Sequence, residues 1–190
     1  MRSCLLPSPS RHLSHRNTLG FTLIEVMVVI GIAAILVALA APDFSKVVKR
    51  YQVRQAVEDM TATLYVARSE AIKRGGQVVI QKAACSEAAE KQFWNCGWIA
   101  FYDANNNRVL NSGEEVLQRS AKPAGVTVEK SLTEDSIAVD RWGNLGSGLG
   151  LVGFKFEPVG SDGSQLDLTT ALCVSSGGRI RTDAGKAECD

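Results

Sequence analysis

The chain has 190 residues, 45% of them apolar, and its 21 basic and 20 acidic residues leave a formal net charge of +1 at pH 7. That length suits one domain with accessories, and the balance of charge and apolar content excludes a disordered polyelectrolyte and a histone-like polycation. The distribution is uneven: the first nineteen residues, MRSCLLPSPSRHLSHRNTL, hold Arg2, Arg11 and Arg16, no acid, and both histidines, His12 and His15.

An apolar run follows over residues 20–42, GFTLIEVMVVIGIAAILVALAAP, with one carboxylate, Glu25, near its start. A charged side chain at the centre of a membrane helix costs about 2.5–3.5 kcal/mol on insertion scales, so Glu25 needs a reason. Three readings compete. A secretory signal would be cut near Ala38-Leu39-Ala40, but its apolar region is usually only about 7–15 residues long. A plain anchor would use Phe21 to Ala41, close to the roughly 20 residues that cross a bilayer. Neither gives Glu25 a role. The third is a leader cut between Gly20 and Phe21, ahead of the run.

The hexapeptide Gly20-Phe21-Thr22-Leu23-Ile24-Glu25 resembles the processing site of type IV pilins and type II secretion pseudopilins. The resemblance implies a prepilin peptidase that cuts after Gly20 and N-methylates Phe21, and it makes Glu25 the assembly residue. The physics agrees. A carboxylate removed from water needs a partner, which the α-amino group of the partner subunit's Phe21 could supply.

Helical character continues past Pro42, where a kink is expected as the helix meets water. Val53, Val57, Met60, Leu64, Ala67 and Ala71 alternate at spacings of four and three, the signature of a one-sided helix stripe. Charged residues fall between them, and Gly75-Gly76 is a natural C-cap. From Phe21 to Lys73 a continuous helix would extend about 80 Å at 1.5 Å per residue. The expectation is half in lipid or filament core and half packed on a head.

The remainder reads as short strands: QVVIQ, GWIAFYD, EEVLQRS, VTVEK, SIAVD, GFKFEPV and LDLTTALCVSS, divided by Gly, Asn, Asp and Pro. One long helix followed by a small sheet resembles the pilin architecture. Within it ARSEAIKRGGQVVI, GWIAFYDANNN and SSGGRIR are similar to the GspH/FimT branch of minor pilins and pseudopilins. The resemblance implies an α+β pilin fold. Its expected segments are a prepilin leader (1–20), a transmembrane or filament-core helix (21–41), an amphipathic helix (42–75) and a β-rich periplasmic or extracellular head (76–190).

Cysteine usage suits export. Cleavage removes Cys4 and leaves Cys85, Cys96, Cys173 and Cys189. Cys85–Cys96 and Cys173–Cys189 are the economical disulfides among three possible pairings. Free buried thiols are the alternative, and a four-cysteine zinc site lacks any C-x-x-C pair. With the leader gone no histidine remains, which excludes Ser-His and Cys-His catalysis and histidine metal ligation. No catalytic residue, metal site or cofactor is expected, and the adjacent Glu114 and Glu115 read as a solvated turn.

Two stretches invite sharper readings. Asp103, Asn105, Asn107, Asn111 and Glu114 fall at positions 1, 3, 5, 9 and 12 of a calcium-loop pattern, but Arg108 stands where that turn needs glycine. Asn-rich turns also join strands with no metal. In the tail SSGGRIRTDAGKAEC, Arg179 and Arg181 lie two apart, about 6.6 Å along an extended chain, with Lys186 a third cation. Arginine pairs suit phosphate. The tail also resembles that of FimT-like pilins that bind double-stranded DNA during natural transformation and competence. Against this, loss of the leader leaves 18 basic to 20 acidic residues, and Asp183, Glu188 and Asp190 flank the site. Strand-end arginines paired with acids or neighbouring subunits are the other reading.

The resemblance implies a minor type IV pilin: single-pass in the bacterial inner membrane, then part of a periplasmic or cell-surface filament with other pilin subunits. DNA uptake through the tail is one role left open. A purely structural place as a minor pseudopilin of a type II secretion system is another.

Overall fold

The computed structural model describes residues 20–85, 92–131, 134–146, 152–163, 165–175 and 177–189. The expected leader, with Cys4 and both histidines, lies outside them apart from Gly20. The chain divides into two compact units at the Ala41/Pro42 boundary, and helix α1, Leu23–Arg74, contributes residues to both.

In the first unit α1 is apolar apart from Glu25, with exposed side chains at Leu23, Ile30, Ile35 and Leu39. Helix formation needs no further explanation there: the run is free of internal proline and rich in Ala, Leu and Ile. Taken singly, no helix among the described residues is long and apolar enough to cross a membrane; Leu23–Leu39 and Phe44–Arg74 pass that test only as a pair.

In the second unit the expected stripe is the buried face. Val53, Val57, Met60, Leu64, Ala67 and Ala71 are all at most 6% exposed. These six side chains are apolar, so burying them removes hydrocarbon from water at about 25 cal/mol per Å2. The helix stops where the sequence says it should. Gly75 adopts φ +80°, and the Gly76 amide donates to the Ala71 carbonyl at 2.8 Å. That six-to-one closure satisfies a carbonyl the helix end would otherwise orphan.

Among the described residues, eight strands form two antiparallel four-stranded sheets. They are β1 Val78–Lys82, β2 Trp98–Tyr102, β3 Val116–Ser120, β4 Val126–Lys130, β5 Ser136–Val139, β6 Val152–Pro158, β7 Thr170–Val174 and β8 Ile180–Ala184. The sheet orders are β3-β2-β1-β5 and β4-β6-β7-β8. One apolar cluster joins the helix stripe to both, with Ile80 and Trp98 from the first sheet and Phe154, Phe156 and Leu172 from the second. Trp94 meets Phe154 edge to face at 5.4 Å.

Two expectations need correction. Residues 166–168 form a short 3-10 turn rather than the start of a strand, closed by the Thr169 amide on the Leu166 carbonyl at 3.1 Å. Strand β8 was read only as an extended tail, because Ile180-Arg181-Thr182-Asp183-Ala184 lacks apolar alternation. Its strand character comes from pairing with β7, in register Cys173↔Arg181.

Candidate assembly segment and candidate anion-binding tail

At the N-terminal end, Gly20 and Phe21 precede the helix, and Phe21 is 83% exposed. Thr22 starts α1: its hydroxyl accepts the Glu25 amide at 3.3 Å. Thr22 and Glu25 hold the first and fourth places of a capping box, in which the acid would reach back to the threonine amide. Among the described residues that return bond is not made, and the Glu25 side chain has no ion-pair partner. It therefore sits in the first helical turn, where the helix dipole favours an anion, with its oxygens available to another molecule.

The tail is held from both sides. The Cys173–Cys189 disulfide, with Cα atoms 5.7 Å apart, ties the segment after β8 back onto β7. Gly153 on β6 stands opposite Cys173, and a Cβ there would lie 3.0 Å from Cys189 Sγ, so the glycine makes room for the bridge. A second disulfide, Cys85–Cys96, closes the segment between β1 and β2 over a separation of 11 residues. Before β8, Gly178 adopts φ +75° and lies against the helix residue Arg68, whose Nη1 donates to the Gly178 carbonyl. Without a side chain, Gly178 admits a guanidinium of the same chain.

Arg179 and Arg181 are both exposed. Arg181 lies on the edge strand β8, and its Nε pairs with Asp183 Oδ2 at 3.0 Å. Arg179 makes no ion pair among the described residues. Lys186 is exposed beyond the end of β8. The structure thus leaves one arginine of the pair unengaged and shares the other with the acid two residues on.

The 103–114 loop uses its oxygens on itself. The carboxylate of buried Asp103 accepts the Asn107 amide at 3.1 Å and the Arg108 amide at 2.7 Å. Asn107 Oδ1 accepts the Val109 amide at 2.8 Å, and Glu114 accepts from Ala104 at 3.1 Å and Asn111 at 2.8 Å. Arg108 takes the left-handed conformation, φ +60°, that glycine would take in a calcium loop. Among the described residues no group of three or more His, Cys, Asp or Glu side chains is arranged to hold a metal ion.

Sequence reasoning gave no individual role to four residues that help organise the head: Thr63, Arg68, Asp140 and Trp142. Only Asp140 had a visible signal, since Asp-Arg-Trp-Gly-Asn has the composition of a turn. Its Oδ1 accepts the amides of Trp142 and Asn144 at 2.8 and 2.9 Å, and its Oδ2 accepts Asn144 Nδ2 at 2.9 Å.

An apolar N-terminal helix segment, a helix face buried on an antiparallel β head and a disulfide-tied C-terminal edge define a pilin-type subunit. Residues 56–180 match the family described as Type II transport protein GspH, and residues 15–41 match the Prokaryotic N-terminal methylation motif. This chain belongs to the GspH family of pilin-like proteins. It is 31% identical to the Pilin-like protein PilA1 of Thermus thermophilus over 85% of this chain and 89% of that relative. A Fimbrial protein of Pseudomonas aeruginosa is 43% identical over 60 residues, which are 32% of this chain and 38% of the relative. The crystal structure of the type IV minor pilin FimU of Pseudomonas aeruginosa shares the fold, with a TM-score of 0.54 at 23% identity, over 73% of this chain and 94% of FimU.

Proposed function

We propose that this chain is a minor subunit of a type IV pilus, cut after Gly20 by a prepilin peptidase and N-methylated on Phe21. Residues 21–41 hold it in the inner membrane and then in the filament core, residues 42–75 carry the helix onto the head, and residues 76–190 display the head. The observation that carries this reading is the apolar N-terminal part of α1, whose described side chains up to Leu39 are all exposed. Such a surface is stable only in lipid or against like helices. Glu25 sets register by pairing with the α-amino group of the partner subunit's Phe21. Mass spectrometry of the exported protein should find methylated Phe21 first; a chain beginning at Ala41 would overturn the reading. Glu25→Ala should insert in the membrane as well as the parent but be depleted from sheared filaments, and normal incorporation would remove the assembly role.

The match to a type II transport family supports a second reading, a minor pseudopilin with a structural role. Deletion should then block protein secretion while leaving pili intact, the opposite of the first reading.

For the tail, we read Arg179 and Arg181 as contacts for double-stranded DNA. The exposure of both and the unengaged state of Arg179 support it. Few cations imply few released counterions, so log K against log salt should fall with a slope of about −2 to −3 for two or three contacts. Changing both arginines to Gln should reduce that slope by about two. Unchanged binding would clear the tail.

A further inference from the structure

Two parts of the head converge on the guanidinium of Arg68. A Cβ added at Gly143 would lie 3.4 Å from Arg68 Nε, and one at Gly178 would lie 2.5 Å from Arg68 Nη2. The Asp140–Asn144 turn and Gly178, before β8, therefore meet on one helix side chain. Arg141 and Trp142 belong to that turn, and Arg179 follows Gly178 directly in sequence.

The chemistry of that neighbourhood is unusual for this protein. Trp142 is 76% exposed, whereas Trp94 and Trp98 are fully buried. Its exposure is not that of a slack loop, because Asp140 holds the turn through three hydrogen bonds. Elsewhere cations such as Arg74, Lys82 and Lys155 pair with acids. Among the described residues Arg68, Arg141 and Arg179 have no acidic partner, and Arg68 Nε has no hydrogen-bond acceptor. An exposed indole on a hydrogen-bonded turn, with exposed arginines that have no acidic partner on the two segments meeting at Arg68, offers a stacking surface and anion donors in one region. Nucleic acid with unpaired bases offers both partners at once, whereas duplex DNA keeps its base faces stacked inside.

We propose that Trp142, with Arg141 and Arg179, is a platform for single-stranded nucleic acid, one base stacking on the indole and the adjoining phosphates meeting the arginines. The inference rests on the anion-binding reading of the tail and adds to it a strand preference and two residues outside the tail.

The test uses the full mature chain in a non-ionic detergent, with oligothymidylate and a duplex of equal length as probes. Oligothymidylate should quench the part of the intrinsic fluorescence that comes from exposed Trp142, since a stacking base cannot reach buried Trp94 and Trp98, and that quenching should vanish in Trp142→Ala. Trp142→Ala should weaken oligothymidylate binding about 5- to 100-fold, the range expected for one lost base stack. Trp142→Phe should retain most of the affinity, and duplex binding should change little in either variant. Arg141→Gln should weaken binding and lower its salt dependence by about one contact. Oligothymidylate binding unchanged in Trp142→Ala would overturn the platform while leaving duplex binding by the tail intact. Binding of neither probe by the parent would overturn both readings. An equal loss for single strand and duplex in Trp142→Ala would also overturn it, by showing no preference for unpaired bases.

Discussion

The guanidinium of Arg68 donates to the carbonyl oxygen of Gly178, and that one bond fastens the C-terminal edge of the second sheet to the long helix. The two residues are 110 positions apart in sequence. Neither is apolar, and no local pattern links the two. Their contact depends on the absence of a side chain at Gly178 and on a backbone turn that other residues resist.

Gly178→Ala should therefore destabilise the head. The left-handed backbone adds about 1–2 kcal/mol for any residue with a Cβ. Displacing Arg68 forfeits a hydrogen bond worth about 0.5–1.5 kcal/mol. Chemical denaturation should show a loss of about 2 kcal/mol, and Arg68→Met should show about half as much. A stable Gly178→Ala variant would mean the tail can leave the helix without penalty.

Reduction should act on the same edge. A disulfide closing a loop of about 15 residues contributes roughly 3 kcal/mol in the chain-entropy account, and Cys173–Cys189 has a sequence separation of 16. Replacing both cysteines by alanine should lower the melting temperature and remove most of its dependence on reductant. Retention of the full reductant effect would assign that sensitivity to Cys85–Cys96.

Thr63 is the polar centre of the core. Its hydroxyl donates to the Asp59 carbonyl at 2.9 Å and accepts from Trp98 Nε1 and Gln118 Nε2, each at 3.0 Å. Thr63→Val keeps the volume but strands the buried indole donor, at about 1–3 kcal/mol. Thr63→Ser keeps the hydroxyl and should lose much less. Equal losses in the two variants would mean that methyl packing, not hydrogen bonding, matters at this position.

The turn that presents Trp142 should respond to acid. Burial works against the Asp140 carboxylate, but hydrogen bonds from the Asn144 side chain and from the amides of Asn144, Trp142 and Gly143 outweigh it and hold the pKa below the usual aspartate value. A folded pKa below the unfolded one gives stability that is full above about pH 4 and lost as pH falls through the folded value. The Asp140 carboxyl resonance should titrate below that of a free aspartate, with the Trp142 and Asn144 amide resonances moving in step. A midpoint at or above the free value would show that the turn is held by something else.

The local periodicities are legible in the sequence alone. The stripe from Val53 to Ala71, the stop at Gly75-Gly76 and seven of the eight strands follow from apolar spacing and turn residues, which act over a few positions. The hexapeptide from Gly20 to Glu25 was equally plain, because a carboxylate in an apolar run has few explanations. Tertiary structure decided what depends on distant partners. Strand β8 exists because β7 offers it an edge, since its own sequence is too polar to specify a strand. Gly153 is needed only because Cys189 comes back across it, and Gly178 only because Arg68 lies beneath. The segments carrying Arg141, Trp142 and Arg179 meet only because Gly143 and Gly178 both lie against Arg68, a helix side chain remote from them in sequence. Periodicity records which face a segment buries, but not which segment arrives to cover it, and at this end of the head the arrivals set the chemistry.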